Sequence, residues 1–105
     1  MPRRKNLILS AAQARLAYER VAEATGVSVD DMLGRRQTYE IARARFIVMR
    51  LLRNQHASYL QIGRAMDLDH STVINGIQRF DWLLDQCPSF AALAAKAQAN
   101  GYARR

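Results

Sequence analysis

Residues 67–76 read Asp-Leu-Asp-His-Ser-Thr-Val-Ile-Asn-Gly, and Asp69, His70, Ser71 and Thr72 fall where an apolar helical pattern begins. Such a cluster could be catalytic, hold a metal, cap a helix or read a surface. Nucleophilic catalysis needs a nucleophile paired with a base that a third group holds in place. Consecutive residues in one helical turn fan outward instead of converging. A metal fares no better: His56 and His70 lie fourteen positions apart, and the single Cys87, flanked by Gln86 and Pro88, has neither an activating base nor zinc-type spacing. No GxxxxGK[ST] phosphate loop occurs. These residues predict no catalytic centre, no metal, no cofactor and no nucleotide site.

A reading surface suits them better. With Val73, Ile77, Phe80 and Leu84 inward at helical spacing, His70, Ser71, Thr72 and Asn75 face outward near the helix start. An Asp carboxylate accepts from a cytosine amino group, Ser and Thr hydroxyls bond to bases or phosphates, and the Thr methyl can meet a thymine methyl. The bland alternative is a cap: Asp69 accepting from an amide near Ser71 or Thr72, followed by a solvated first turn.

The elements that must position this cluster are helical throughout, because helix spacing recurs and strand alternation does not. Ser10-Ala-Ala-Gln13 has the form of a capping box, and a first helix is predicted over about 7–25 with Ala14, Ala17, Tyr18 and Val21 on one face. Ser28 opens a single turn that ends at Gly34. Then come a basic loop with Arg35 and Arg36 and a helix whose stripe is Ile41, Ala44, Ile47, Val48, Leu51 and Leu52. Arg43 and Arg50 share a face away from that stripe, with Arg53 at its edge. Ser58-Tyr-Leu-Gln61 predicts a second capping box and a short helix with Leu60, Ile62 and Met66 for packing and Gly63 for a close approach. The helix holding the cluster ends at Pro88, and Ser89 caps a last one over about 90–100, stopped at Gly101. Short helix, tight turn, longer helix is the outline of a helix-turn-helix inside one all-α bundle spanning residues 1–105.

Charge agrees with a polyanionic partner: sixteen Lys and Arg against nine Asp and Glu give +7 over 105 residues. Residues 32–66 hold seven arginines against Glu40, and residues 67–85 hold four acids against Arg79. That split suits phosphate anchoring by one element and base reading by another. The start, MPRRKNLILSAAQA, mimics a secretory signal, but its apolar run is only Leu7-Ile8-Leu9, and no stretch has the length of a membrane span. A basic amphipathic helix over 41–53 could lie on a membrane, yet its stripe is needed for the core, so no membrane partner is expected.

Residues 33–52 (LGRRQTYEIARARFIVMRLL), 58–66 (SYLQIGRAM) and 69–77 (DHSTVINGI) together resemble the C-terminal DNA-binding domain, domain IV, of the bacterial replication initiator DnaA, over about 27–84. Ile62-Gly63 followed by Asp69-His70-Ser71-Thr72-Val73 is similar to that family's Asp-His-Thr-Thr-Val, and Ile41–Arg45 is similar to its Ala-Arg-Pro-Arg segment. The resemblance implies a Trp-repressor-like helical bundle whose 69–72 turn enters a major groove of double-stranded DNA at short asymmetric boxes. It implies base reading by Asp69, His70, Ser71 and Thr72, a major-groove arginine at Arg45, a phosphate contact at Arg43, and a minor-groove arginine nearest to Arg36 in the basic loop. The chain differs from the family at Gln37 (loop arginine expected), Glu40, Ala44 (proline), Phe46 (polar) and Leu68 (basic), and Asp67 stands for the turn's usual glycines. The initiator's ATPase and oligomerisation domains do not fit in these residues. The expectation is a free-standing, cytoplasmic, nucleoid-associated bacterial module that modulates replication initiation or transcription through Arg35, Arg36, Arg43, Arg45, Asp69, His70, Ser71, Thr72 and Asn75. The alternative is a regulator that binds replication-initiation proteins, the initiator or its inactivating factor, with Phe46 or Trp82 as docking groups unless they serve the core.

Overall fold

Hydroxyl side chains start four of the helices. In the computed structural model, which describes residues 9–102, Ser10 caps α1 (Ala11–Thr25), Ser28 caps α2 (Val29–Leu33), Thr38 caps α3 (Tyr39–Asn54) and Ser58 caps α4 (Tyr59–Met66). Each accepts a hydrogen bond from the amide three residues on, at 3.0–3.3 Å. Gln13 and Gln61 reach back to the cap amides, completing both predicted capping boxes. A cap of this kind is worth about 1 kcal/mol, enough to set where a helix begins. The capping geometry at Ser10 places the first helical residue at Ala11; residues 1–8, with the Arg3-Arg4-Lys5 arm, lie outside the described residues, as do 103–105.

Two further helices follow: α5 (His70–Gln86) and α6 (Pro88–Tyr102). Among the described residues there are six helices and no strand. The α6 start corrects the expected Ser89 cap. Pro88 occupies the first helical position, where its missing amide costs nothing, so Ser89 already sits inside the first turn. The helix also continues through Gly101 to Tyr102 instead of stopping there.

α3 lies at the centre and touches every other helix. Its predicted stripe is buried throughout, and Met49 is buried as well, against Gly76 of α5. α1 contributes Ala14, Ala17, Tyr18 and Val21 as expected, together with Ala24. Phe80 of α5 and Phe90 of α6 meet edge to face, with centroids 5.4 Å apart. Fully burying a side chain such as Ile47, Leu51 or Phe90 contributes about 1.5–3 kcal/mol each, so the bundle is held mainly by this apolar interior. The buried line of α5 is Val73, Gly76, Ile77, Phe80 and Leu83; Leu84, expected inside, is 43% exposed. Leu60, expected to pack, is also exposed. No described helix is long and apolar enough to cross a membrane.

Candidate nucleic-acid interface

The joint between α4 and α5 is built backbone on backbone. A Cβ placed on Gly63 would sit 2.5 Å from the Leu68 carbonyl oxygen, so only glycine allows this approach. The turn itself is a Schellman motif: the Leu68 amide donates to the Gly63 carbonyl at 2.7 Å, and the Asp67 amide to Arg64 at 3.4 Å. Asp67 therefore takes the left-handed position, with φ 59° and ψ 48°, that glycine usually fills. Leu68, in the place of a basic residue, turns inward and packs against the core.

Asp69 is the N-cap residue of α5, with extended backbone, but its carboxylate makes no capping hydrogen bond. That corrects the expected bond to an amide near Ser71 or Thr72. The first turn is held instead by the backbone, the Val73 amide donating to the Asp69 carbonyl at 3.1 Å. Asp69, His70, Ser71 and Thr72 are all exposed, and Asn75 is exposed one turn further on. Their polar atoms are thus presented outward while Val73 anchors the turn inside.

The basic loop lies beside this turn. Gly34, Arg35, Gln37 and Arg45 line a common cleft with Asp67 and Leu68. A second cleft joins Arg64 and Gly63 of α4 to Asp69 and His70. Arg35, Arg36 and Arg64 are exposed, and their side chains make no hydrogen bond or ion pair among the described residues. Arg64, one of the seven arginines counted over residues 32–66 and expected singly to be a solvated helix face, lies in the last turn of α4, directly before the α4–α5 turn.

The other two arginines given by the resemblance are engaged inside the protein. Arg43 lies between Tyr39 and Phe90, its guanidinium carbon 4.9 and 5.1 Å from the two ring centroids. Its Nη2 donates to Cys87 Sγ at 3.5 Å, and its Nε is buried without a partner. Arg45 donates from Nε to the Met32 carbonyl at 2.8 Å and from Nη2 to Asp31 and Gly34 carbonyls at 3.3 and 2.7 Å. The expected outward cationic face of α3 is largely covered, because α5 and α6 pack there. Arg50 pairs with Asp81 at 2.9 Å over the Phe80 ring, and Arg53 stacks on Tyr59 and donates to the Ala57 carbonyl at 3.0 Å.

Two titrating groups report on these contacts. Burial pushes the Tyr18 phenol up, and the nearby Arg45 charge partly offsets it. The Cys87 thiol is lowered, first by its bond with the Ser89 hydroxyl and next by the Phe90 amide. Among the described residues no three His, Cys, Asp or Glu side chains gather closely enough for a metal ion. Of the two possible docking aromatics, Phe46 is half-buried against the core, whereas Trp82 is 54% exposed beside Arg79.

A helix whose polar first turn faces outward, braced by a short helix through a tight turn, is the helix-turn-helix arrangement. The sequence pattern of the family described as "Bacterial dnaA protein helix-turn-helix" matches residues 16–79. The chain is 34% identical over 87 residues to chromosomal replication initiator protein DnaA 1 of Chlamydia muridarum, covering 78% of this chain and 19% of that protein. It is 37% identical over 67 residues to DnaA 2 of Protochlamydia amoebophila, covering 63% of this chain and 15% of the relative. The value for DnaA 1 of Chlamydia trachomatis is 36% over 85 residues, covering 75% and 19%. The chain belongs to the bacterial DnaA helix-turn-helix family. It spans less than a fifth of the length of these relatives.

Proposed function

We propose that the protein binds double-stranded DNA with sequence preference, at short boxes of the kind its family resemblance implies. In this reading the first turn of α5 enters a major groove. Asp69, His70, Ser71, Thr72 and Asn75 meet base edges there, while the Arg35–Arg36 loop reaches an adjacent minor groove and Arg64 meets a phosphate. One observation carries the proposal: five polar side chains at a helix start are exposed together, with arginines on both flanking elements whose side chains are unpaired among the described residues. Phosphate contacts position such a protein, and base contacts give it preference.

Titration of box-containing and scrambled duplexes at two salt concentrations tests this. The expected result is tighter binding to the box, with both affinities falling as salt rises, because each phosphate neutralised adds about −0.9 to the slope of log K against log salt. Equal affinity for both duplexes removes the reading role. By occupying such boxes the protein would modulate replication initiation or transcription, which competition with an initiator on one duplex would measure.

A second reading draws on the exposed Trp82 and Leu84 on the outer side of α5. There the protein binds a replication-initiation regulator and DNA contact is secondary. Pull-down after nuclease treatment separates the two: partners that survive the nuclease favour the protein-binding reading.

A further inference from the structure

We propose that Arg45 is a positioning residue for the arginine loop and does not itself touch bases. The proposal rests on the DNA-binding reading above and deepens it. A guanidinium has five N–H donors, one on Nε and two on each Nη. Here Nε is given to Met32 and both Nη2 hydrogens have carbonyl partners, at Asp31 and Gly34. A bidentate grip on guanine needs two donors side by side on one edge. Both edges that include Nη2 are therefore unavailable while these bonds last, and only the two Nη1 hydrogens remain.

The carbonyls that Arg45 holds are not arbitrary. Asp31 and Met32 lie in the last turn of α2, where carbonyls lose their intrahelical partners. Arg45 satisfies them from α3 and brings a positive charge to the negative end of the helix. Its shortest bond, 2.7 Å, is to the Gly34 oxygen, which shares a peptide plane with the Arg35 amide. Fixing that plane fixes the direction in which the chain leaves toward Arg35 and Arg36. The same loop lines the cleft beside Asp67 and Leu68, so Arg45 sets the distance between the loop and the reading turn.

Three measurements on the full chain test this. Arg45→Ala and the milder Arg45→Lys are made in the wild-type background and together with Arg35→Ala and Arg36→Ala, each checked for folding by thermal melting. Selection from a random duplex pool with Arg45→Ala is expected to keep the wild-type base preferences in the major groove, at lower affinity, roughly tenfold weaker overall. In the Arg45→Ala background the loop substitutions should add less than about twofold each, because the loop is already released. Amide exchange at Gly34, Arg35 and Arg36 in the DNA-free protein should accelerate. If Arg45→Ala unfolds the chain, Arg45→Lys is expected to show the same signs in weaker form. A change confined to one major-groove base position, full additivity with the loop substitutions, or unaltered exchange overturns the proposal. Wild-type protein indifferent to DNA sequence would instead sink the reading role and leave amide exchange to decide whether Arg45 holds the loop.

Discussion

Two sets of arginines, drawn from one stretch of chain, have opposite fates. Arg43, Arg45, Arg50 and Arg53 project from α3 and are half-buried, each lying over aromatic rings or bonded to backbone carbonyls and acids of neighbouring elements. Arg35, Arg36 and Arg64 lie on the loop and on α4, exposed and unpaired among the described residues. The guanidinium is the same in both sets; what differs is whether an aromatic ring or an unsatisfied carbonyl lies within its reach. A planar, weakly hydrated cation stacks readily on a ring face. Formal charge over 32–66 therefore overstates the cation available to a polyanion, and availability follows from what α2, α4, α5 and α6 offer to the arginines of α3.

The comparison can be broken most decisively at the joint that sets up the exposed set. Gly63→Val places side-chain carbon against the Leu68 backbone oxygen, and overpacking against backbone is expected to cost about 3 kcal/mol or more. A chemical melt in which this variant matches wild type would show that the α4–α5 contact is not obligatory. Paired substitutions sharpen the contrast. Arg43→Met keeps the bulk between Tyr39 and Phe90 but removes the cation, so a stability loss of about 1 kcal/mol is expected with an unaltered salt slope of DNA binding. Arg36→Ala should do the reverse, leaving the melt unchanged and flattening the slope by about 0.9. Exchange of these two outcomes would reverse the assignment. The smallest effect belongs to Asp67→Asn, which removes an acid from the cleft shared with Arg35 while tolerating the left-handed backbone. DNA affinity should rise about two- to fivefold, in line with a surface charge effect of roughly 0.3–1 kcal/mol, and unchanged affinity would show that Asp67 is electrostatically remote from the bound polyanion.

Local features were the ones legible in the chain. Both capping boxes, the turn ending at Gly34, the close approach at Gly63 and the α3 stripe depend on residues within a few positions of each other, and all are present. Errors came where a distant element decides. Leu84 fits a helical stripe as well as Leu83 does, but α3 and α6 flank α5 so that its buried line passes through Gly76 and Leu83. The Ser89 cap gave way to Pro88 because proline is better suited to the first helical position than to the residue before it. The outward residues at 69–72 and 75 are exposed as their spacing predicts. The engagement of Arg43 by Cys87, 44 positions away, and of Arg45 by carbonyls 11–14 positions back leaves no periodic trace in the sequence.

The glycine contact at the α4–α5 joint has a consequence for how new targets could be acquired. Main chain meets main chain there and Val73 anchors the turn inside, so the aim of α5 does not rest on the exposed side chains of its first turn. Positions 70, 71, 72 and 75 stand outside that hinge. Under the proposed reading they form an interchangeable tip on a fixed mount, and a library randomised at those four places is expected to change the preferred duplex without realigning α5.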